Sequence, residues 1–212
     1  MTIPIFTYPL IYLSSILVGV FNYKNFSHNK YLKLFLYFLI YTFFSELVGV
    51  YVGRILIVKN NVVYNLWNII NMLFVSYLLL SQVTNKFKRN IIYSLVAIFI
   101  ITTLVNVLFY AGIFEYPLMK NNLFAKTLVV GVVIIYFTEV LENDKILNFK
   151  NSLFFWIALG VFLYNIAFLP AMALFKYTSV YGMFQYITLG LNLIMHTCFI
   201  LGFILSKKEF NN

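Results

Sequence analysis

Seven long apolar runs alternate with short polar breaks along the chain, among them Asn25-Phe26-Ser27-His28-Asn29 and Thr84-Asn85-Lys86. A hydrocarbon core about 30 Å thick takes roughly 20 apolar residues of helix to cross. Read at that length, the runs predict spans over Ile5–Phe21, Leu32–Val52, Val62–Leu80, Ile91–Gly112, Leu123–Val140, Leu153–Leu174 and Met183–Leu205. The runs are continuous, whereas barrel strands are about ten residues long and alternate in polarity, so a β-barrel is excluded. The expected fold is all-α: one polytopic domain over residues 1–212, a bundle of seven transmembrane helices.

The positive charges predict its direction. Lys24, Lys30, Lys33, Lys86, Lys88, Arg89, Lys145, Lys150, Lys207 and Lys208 fall in the first, third and fifth connections and the tail, ten in all. Arg54, Lys59, Lys120 and Lys176 make four on the other side, and Lys126 lies just inside the fifth span. Cytoplasmic loops carry the excess of Lys and Arg, so the N-terminus is expected outside and the C-terminus in the cytoplasm. No charge precedes Lys24 and no small-x-small pattern follows the first run; that run therefore reads as a span and not as a cleaved leader.

Composition strengthens this picture. The chain is 63% hydrophobic and 10% charged, against about 25% charged in soluble domains, and its mean hydropathy is +0.91. Lipid is the expected solvent of its outer surface. The net charge of +9 follows from the loop bias, so no nucleic-acid partner is expected. Cys198 is the one cysteine, which leaves no disulfide framework and no cysteine metal site; neither a metal nor a cofactor is expected.

Polar side chains at membrane depth are costly, and each needs an account. Glu46 lies about six residues from the outer end of the second span, roughly 9 Å deep at 1.5 Å per residue. Asn68 in the third span and Asn106 in the fourth fall at the same depth. Asn65, Asn68 and Asn71 share an arc of about 120° on the third helix. Lys126, Asn165, Asn192 and His196 add polar groups on the fifth, sixth and seventh spans. One reading is a polar cavity open to the outside, with Glu46 as counter-ion or proton acceptor and Lys126 as its partner if it is ionised. The other is hydrogen bonding between helices, at about 0.6–2 kcal/mol each. Both stay open at this point.

Glu46, Gly49 and Gly53 recur on one helical face, and Ser45 extends the small-residue pattern, so this face should pack against protein. Ala167-x-x-x-Ala171 beside Pro170 is a similar packing signal in the sixth span. Near the cytoplasmic end of the fifth span, Glu139, Glu142 and Asp144 make half of the six acids. They form either a solvated loop or a docking point for a cytoplasmic protein partner.

No phosphate loop, zinc-protease helix or nucleophile elbow occurs, and two histidines cannot build a multi-histidine metal site, so catalysis is not expected. The stretches Tyr136 to Asn148, Phe154 to Gly160, Phe168-Leu169-Pro170 and Tyr64-Asn65-Leu66-Trp67 resemble an uncharacterised family of small seven-helix bacterial membrane proteins. That resemblance implies a sensor-type membrane module without an output domain, in the bacterial inner membrane. The leading expectation is thus a non-enzymatic sensor or accessory module, self-associating or acting through a cytoplasmic partner. A small-solute transporter or channel is the alternative, although the Pro-Gln signature of three-plus-one-plus-three sugar transporters is missing. A membrane effector or regulator of an anti-phage system is a further alternative.

Overall fold

The computed structural model describes residues 4, 6–109, 118–142, 149–178 and 181–211, and among these the chain is all-helical. The helices are α1 (Thr7–Phe21), α2 (Lys30–Val50), α3 (Asn61–Leu80), α4 (Lys86–Phe109), α5 (Met119–Glu142), α6 (Leu153–Thr178) and α7 (Tyr181–Leu205). Six segments are long and apolar enough to cross a membrane: Lys30–Ile55, Asn61–Leu80, Lys86–Phe109, Lys120–Glu142, Leu153–Phe175 and Gly182–Leu205. At 15 residues α1 is shorter, about 22 Å of helix.

Burial identifies the solvent. α4 is the most apolar of the six segments, yet only 17% of its most apolar stretch is covered by protein. Ile98, Ile101, Leu104 and Leu108 are exposed along it. In water such a helix would seek the core; here its outer face is made for lipid. The protein is a multi-pass membrane protein.

Several helices outrun the apolar runs that predict them. α4 begins at Lys86, five residues before Ile91, because the Asn85 carboxamide accepts from the amides of Phe87 at 2.9 Å and Lys88 at 3.4 Å. Asn29 caps α2 in the same way, accepting from Tyr31 at 2.8 Å and Leu32 at 3.3 Å. An apolar run marks the hydrocarbon slab, whereas a capped helix continues into the polar boundary. α2 passes into a π-helical turn over Tyr51–Ile55, after which Ile57 takes φ 55°, a conformation that β-branched residues rarely adopt. α6 runs on through Pro170 to Thr178.

The fold divides into two compact units, residues 1–43 with 140–212 and residues 44–139, and both divisions fall inside helices, α2 and α5. In the first unit α1 lies parallel to α7. Tyr8 meets Thr188, Tyr12 meets Asn192 and Ser15 meets His196, at separations of 180, 180 and 181 residues. α6 runs antiparallel to α7 at close approach. A Cβ on Gly160 would stand 2.9 Å from the Met195 carbonyl, and one on Gly202 would stand 2.6 Å from Trp156. Phe35 meets Phe199 edge-on at 5.1 Å in the core of this unit. In the second unit, Met72, Leu79, Ile92, Phe99, Val132 and Val133 are fully enclosed.

Candidate functional site

In the second unit, the small-residue face of α2 is covered by the start of α3. A Cβ on Gly49 would stand 2.7 Å from the Tyr64 hydroxyl, and one on Gly53 would stand 2.5 Å from the Asn60 amide. Asn60 Nδ2 donates to the Gly49 carbonyl at 2.9 Å. With both glycines letting α3 in, the Tyr64 hydroxyl comes to 3.5 Å from Glu46 Oε1 and donates to it. Glu46 and Ser45 are half-buried.

The depth-matched partner that spacing suggests for Glu46 is Asn68, but the hydrogen bond comes from Tyr64, one turn earlier on α3. The antiparallel crossing and the length of a tyrosine side chain set that choice. Asn68 and Asn71 are half-buried on α3, and Asn106 is half-buried on α4. Lys126 turns into the protein and is only 4% exposed.

The candidate Asn65 and, beyond the candidates, Asn121 hold backbone or a neighbouring helix in this unit. Asn65 is buried and accepts from the Leu118 amide at 3.0 Å, just before α5 begins. Asn121 of α5 accepts from the Thr103 hydroxyl of α4 at 3.0 Å. An amide that joins two helices in lipid satisfies groups that water would otherwise solvate.

The first unit contains a second polar constellation. Ser15 Oγ stands 2.8 Å from His196 Nδ1 and donates to the Tyr12 carbonyl at 2.9 Å. A hydroxyl has one proton, so this geometry assigns the Nδ1 proton to the histidine. The Tyr12 hydroxyl donates to Asn192 Oδ1 at 3.4 Å, and Asn192 Nδ2 donates to the Thr188 carbonyl at 2.8 Å. Asn165 donates to the Val161 carbonyl of its own helix at 2.7 Å. His196 Nε2 and Asn165 Oδ1 are buried with no hydrogen-bond partner among the described residues.

The α1 half of this constellation goes unnoticed in the sequence, because serine and tyrosine are ordinary in apolar helices. The readable signal is their spacing: Tyr8, Tyr12 and Ser15 stand at i, i+4 and i+7, one face of a helix. On α7 the matching positions are Thr188, Asn192 and His196.

Of the three acids proposed for docking, Glu139 is 3% exposed and turned inward. Its carboxylate accepts from the amides of Thr84 at 2.8 Å and Asn85 at 3.3 Å, and from the Thr84 hydroxyl. It also pairs with Lys88 at 3.2 Å. Thr84 and Asn85 lead directly into α4, so Glu139 caps the approach to that helix from a neighbouring one. Glu142 is exposed, and Asp144 lies outside the described residues. Ala171 is buried and Ala167 half-buried on α6.

Among the described residues no three His, Cys, Asp or Glu side chains gather where they could hold a metal ion. The site's chemistry is that of one carboxyl with a phenolic donor, and of one histidine with a hydroxyl. No family model matches this chain, and neither a curated protein nor a solved structure matches it.

Proposed function

We propose that this chain is a seven-span module of the bacterial inner membrane, N-terminus outside and C-terminus in the cytoplasm. It senses a proton or small cation at Glu46 and acts through a cytoplasmic protein partner, without catalysis of its own. The parallel packing of α1 on α7 supports the span count: α1 runs alongside α7 from Thr188 to His196 and so shares its depth. The ten-to-four bias of basic residues supports the orientation.

The observation that carries the sensing reading is Glu46 held against the Tyr64 hydroxyl. A carboxyl at membrane depth gains or loses much by accepting a proton or a cation. Trp67 lies three residues from Tyr64 on α3, close to one helical turn away. In proteoliposomes of a Trp156→Phe variant, which leaves Trp67 as the emitter, lowering the outer pH or adding sodium should shift the emission, and adding Glu46→Gln should remove that shift. Emission that ignores both stimuli would overturn the sensing reading.

Passage of a small solute is a second reading, favoured by the buried atoms His196 Nε2 and Asn165 Oδ1 of the first unit, which have no hydrogen-bond partner among the described residues. It expects a proton or ammonium leak into dye-loaded proteoliposomes that His196→Phe abolishes. Tight vesicles would count against it.

A further inference from the structure

In the first unit, one asparagine ties three segments together. Asn211 is fully buried. Its Nδ2 donates to the Asn25 carbonyl at 3.1 Å, and its Oδ1 accepts from the Leu153 amide at 2.8 Å. Its own carbonyl accepts from Asn29 Nδ2 at 2.9 Å. A fourth bond, from the Lys207 amide to the Asn151 carbonyl at 2.9 Å, fastens the tail to the approach to α6. The α1–α2 connection, the start of α6 and the segment after α7 therefore meet at one end of this unit.

That knot brings lysines with it. Lys24 and Lys30 flank the Asn25 and Asn29 contacts, Lys150 precedes the Leu153 contact, and Lys207 and Lys208 stand in the tail itself. All five are exposed. With Glu209 subtracted, these five lysines bring four net positive charges among the described residues of this end. Aromatic side chains mark the level of the membrane boundary beside them. Tyr23 is 37% exposed just after α1, and the Trp156 indole donates to the Lys150 carbonyl at 2.9 Å. Trp and Tyr favour the head-group region, which is the level that lipid phosphates occupy.

We infer that this lysine-bearing knot around Asn211 is a binding surface for anionic phospholipid head groups. The phosphates complement the charge, basic clusters at a helix boundary bind anionic lipids with about a fivefold gain per lysine, and the Asn211 bonds preorganise lysines from three segments. A free anion would find the same charge but no membrane boundary aligned with it.

The test uses the full chain in neutral detergent, titrated with phosphatidylglycerol or phosphatidylcholine, with bound lipid counted by native mass spectrometry. The wild type should retain phosphatidylglycerol in preference to phosphatidylcholine. Lys207→Gln with Lys208→Gln should weaken that binding by about fivefold for each lysine removed. Lys86→Gln, which removes an exposed lysine of the other unit, should leave it unchanged. Asn211→Ala removes no charge and should still weaken the preference, because it releases the segments that carry the lysines; if it does not yield folded protein, Lys24→Gln with Lys150→Gln takes its place. Unchanged binding in the tail variant, an equal loss in Lys86→Gln, or wild-type binding by a folded Asn211→Ala would each overturn the inference. Displacement of the lipid by soluble glycerol phosphate would assign the surface to a free anion instead, and would overturn it too.

Discussion

The Tyr64 hydroxyl reaches across Gly49 to donate to Glu46 Oε1 at 3.5 Å. One contact thus unites the small-residue face of α2 with its one carboxylate: the glycine makes room, and the tyrosine that fills the room meets the acid. Substitution at Gly49 should then act through Tyr64. Gly49→Ala should destabilise by about 1–3 kcal/mol, as overpacking does, and the loss should shrink in a Tyr64→Ala background. Thermal unfolding in detergent measures both; a penalty independent of Tyr64 would contradict the contact.

Glu139 should matter for stability more than Lys88. Removing the carboxylate leaves the Thr84 and Asn85 amides without this acceptor, at about 1.5–3 kcal/mol, the scale of a hydrogen bond to a charged group. Lys88→Ala removes one partner and leaves the cap in place. Hydrogen exchange at Thr84 and Asn85 should quicken in Glu139→Ala and stay near wild type in Lys88→Ala. Equal protection in both variants would refute the capping role.

Ser15 and His196 should be energetically coupled. Hydrogen bonds between membrane helices are worth about 0.6 kcal/mol on average and at most about 1.7. A double-mutant cycle with Ser15→Ala and His196→Phe should return a coupling in that range. Additive effects would mean that the 2.8 Å contact contributes nothing.

The proposed orientation predicts a labelling pattern in a Cys198→Ala background. Lys59, exposed between α2 and α3, should label from outside intact cells when replaced by cysteine. Cysteines at Asn85 and Lys208, both exposed, should label only after permeabilisation. Asn121 lies on the same proposed side as Lys59, but its buried bond to Thr103 makes it an unsuitable reporter. Labelling of Asn85→Cys in intact cells would reverse the topology.

By itself the sequence determines that this chain is helical and lives in lipid, and it locates the helices to within a few residues. Both properties depend on apolar content summed along one dimension, which needs no knowledge of neighbours. Boundaries drift where a cap such as Asn29 or Asn85 carries a helix past its apolar run, and where α5 and α6 continue into the polar boundary. The small-residue face of α2 is legible too, because helical periodicity places Glu46, Gly49 and Gly53 together before any partner is known. Only the tertiary structure decides what meets that face. Tyr64 and not Asn68 reaches Glu46, Glu139 turns inward to cap α4, and Ser15 holds His196, because partner choice depends on helix crossing and side-chain reach. Depth along a helix can be counted from its ends; the angle at which a neighbour crosses it cannot.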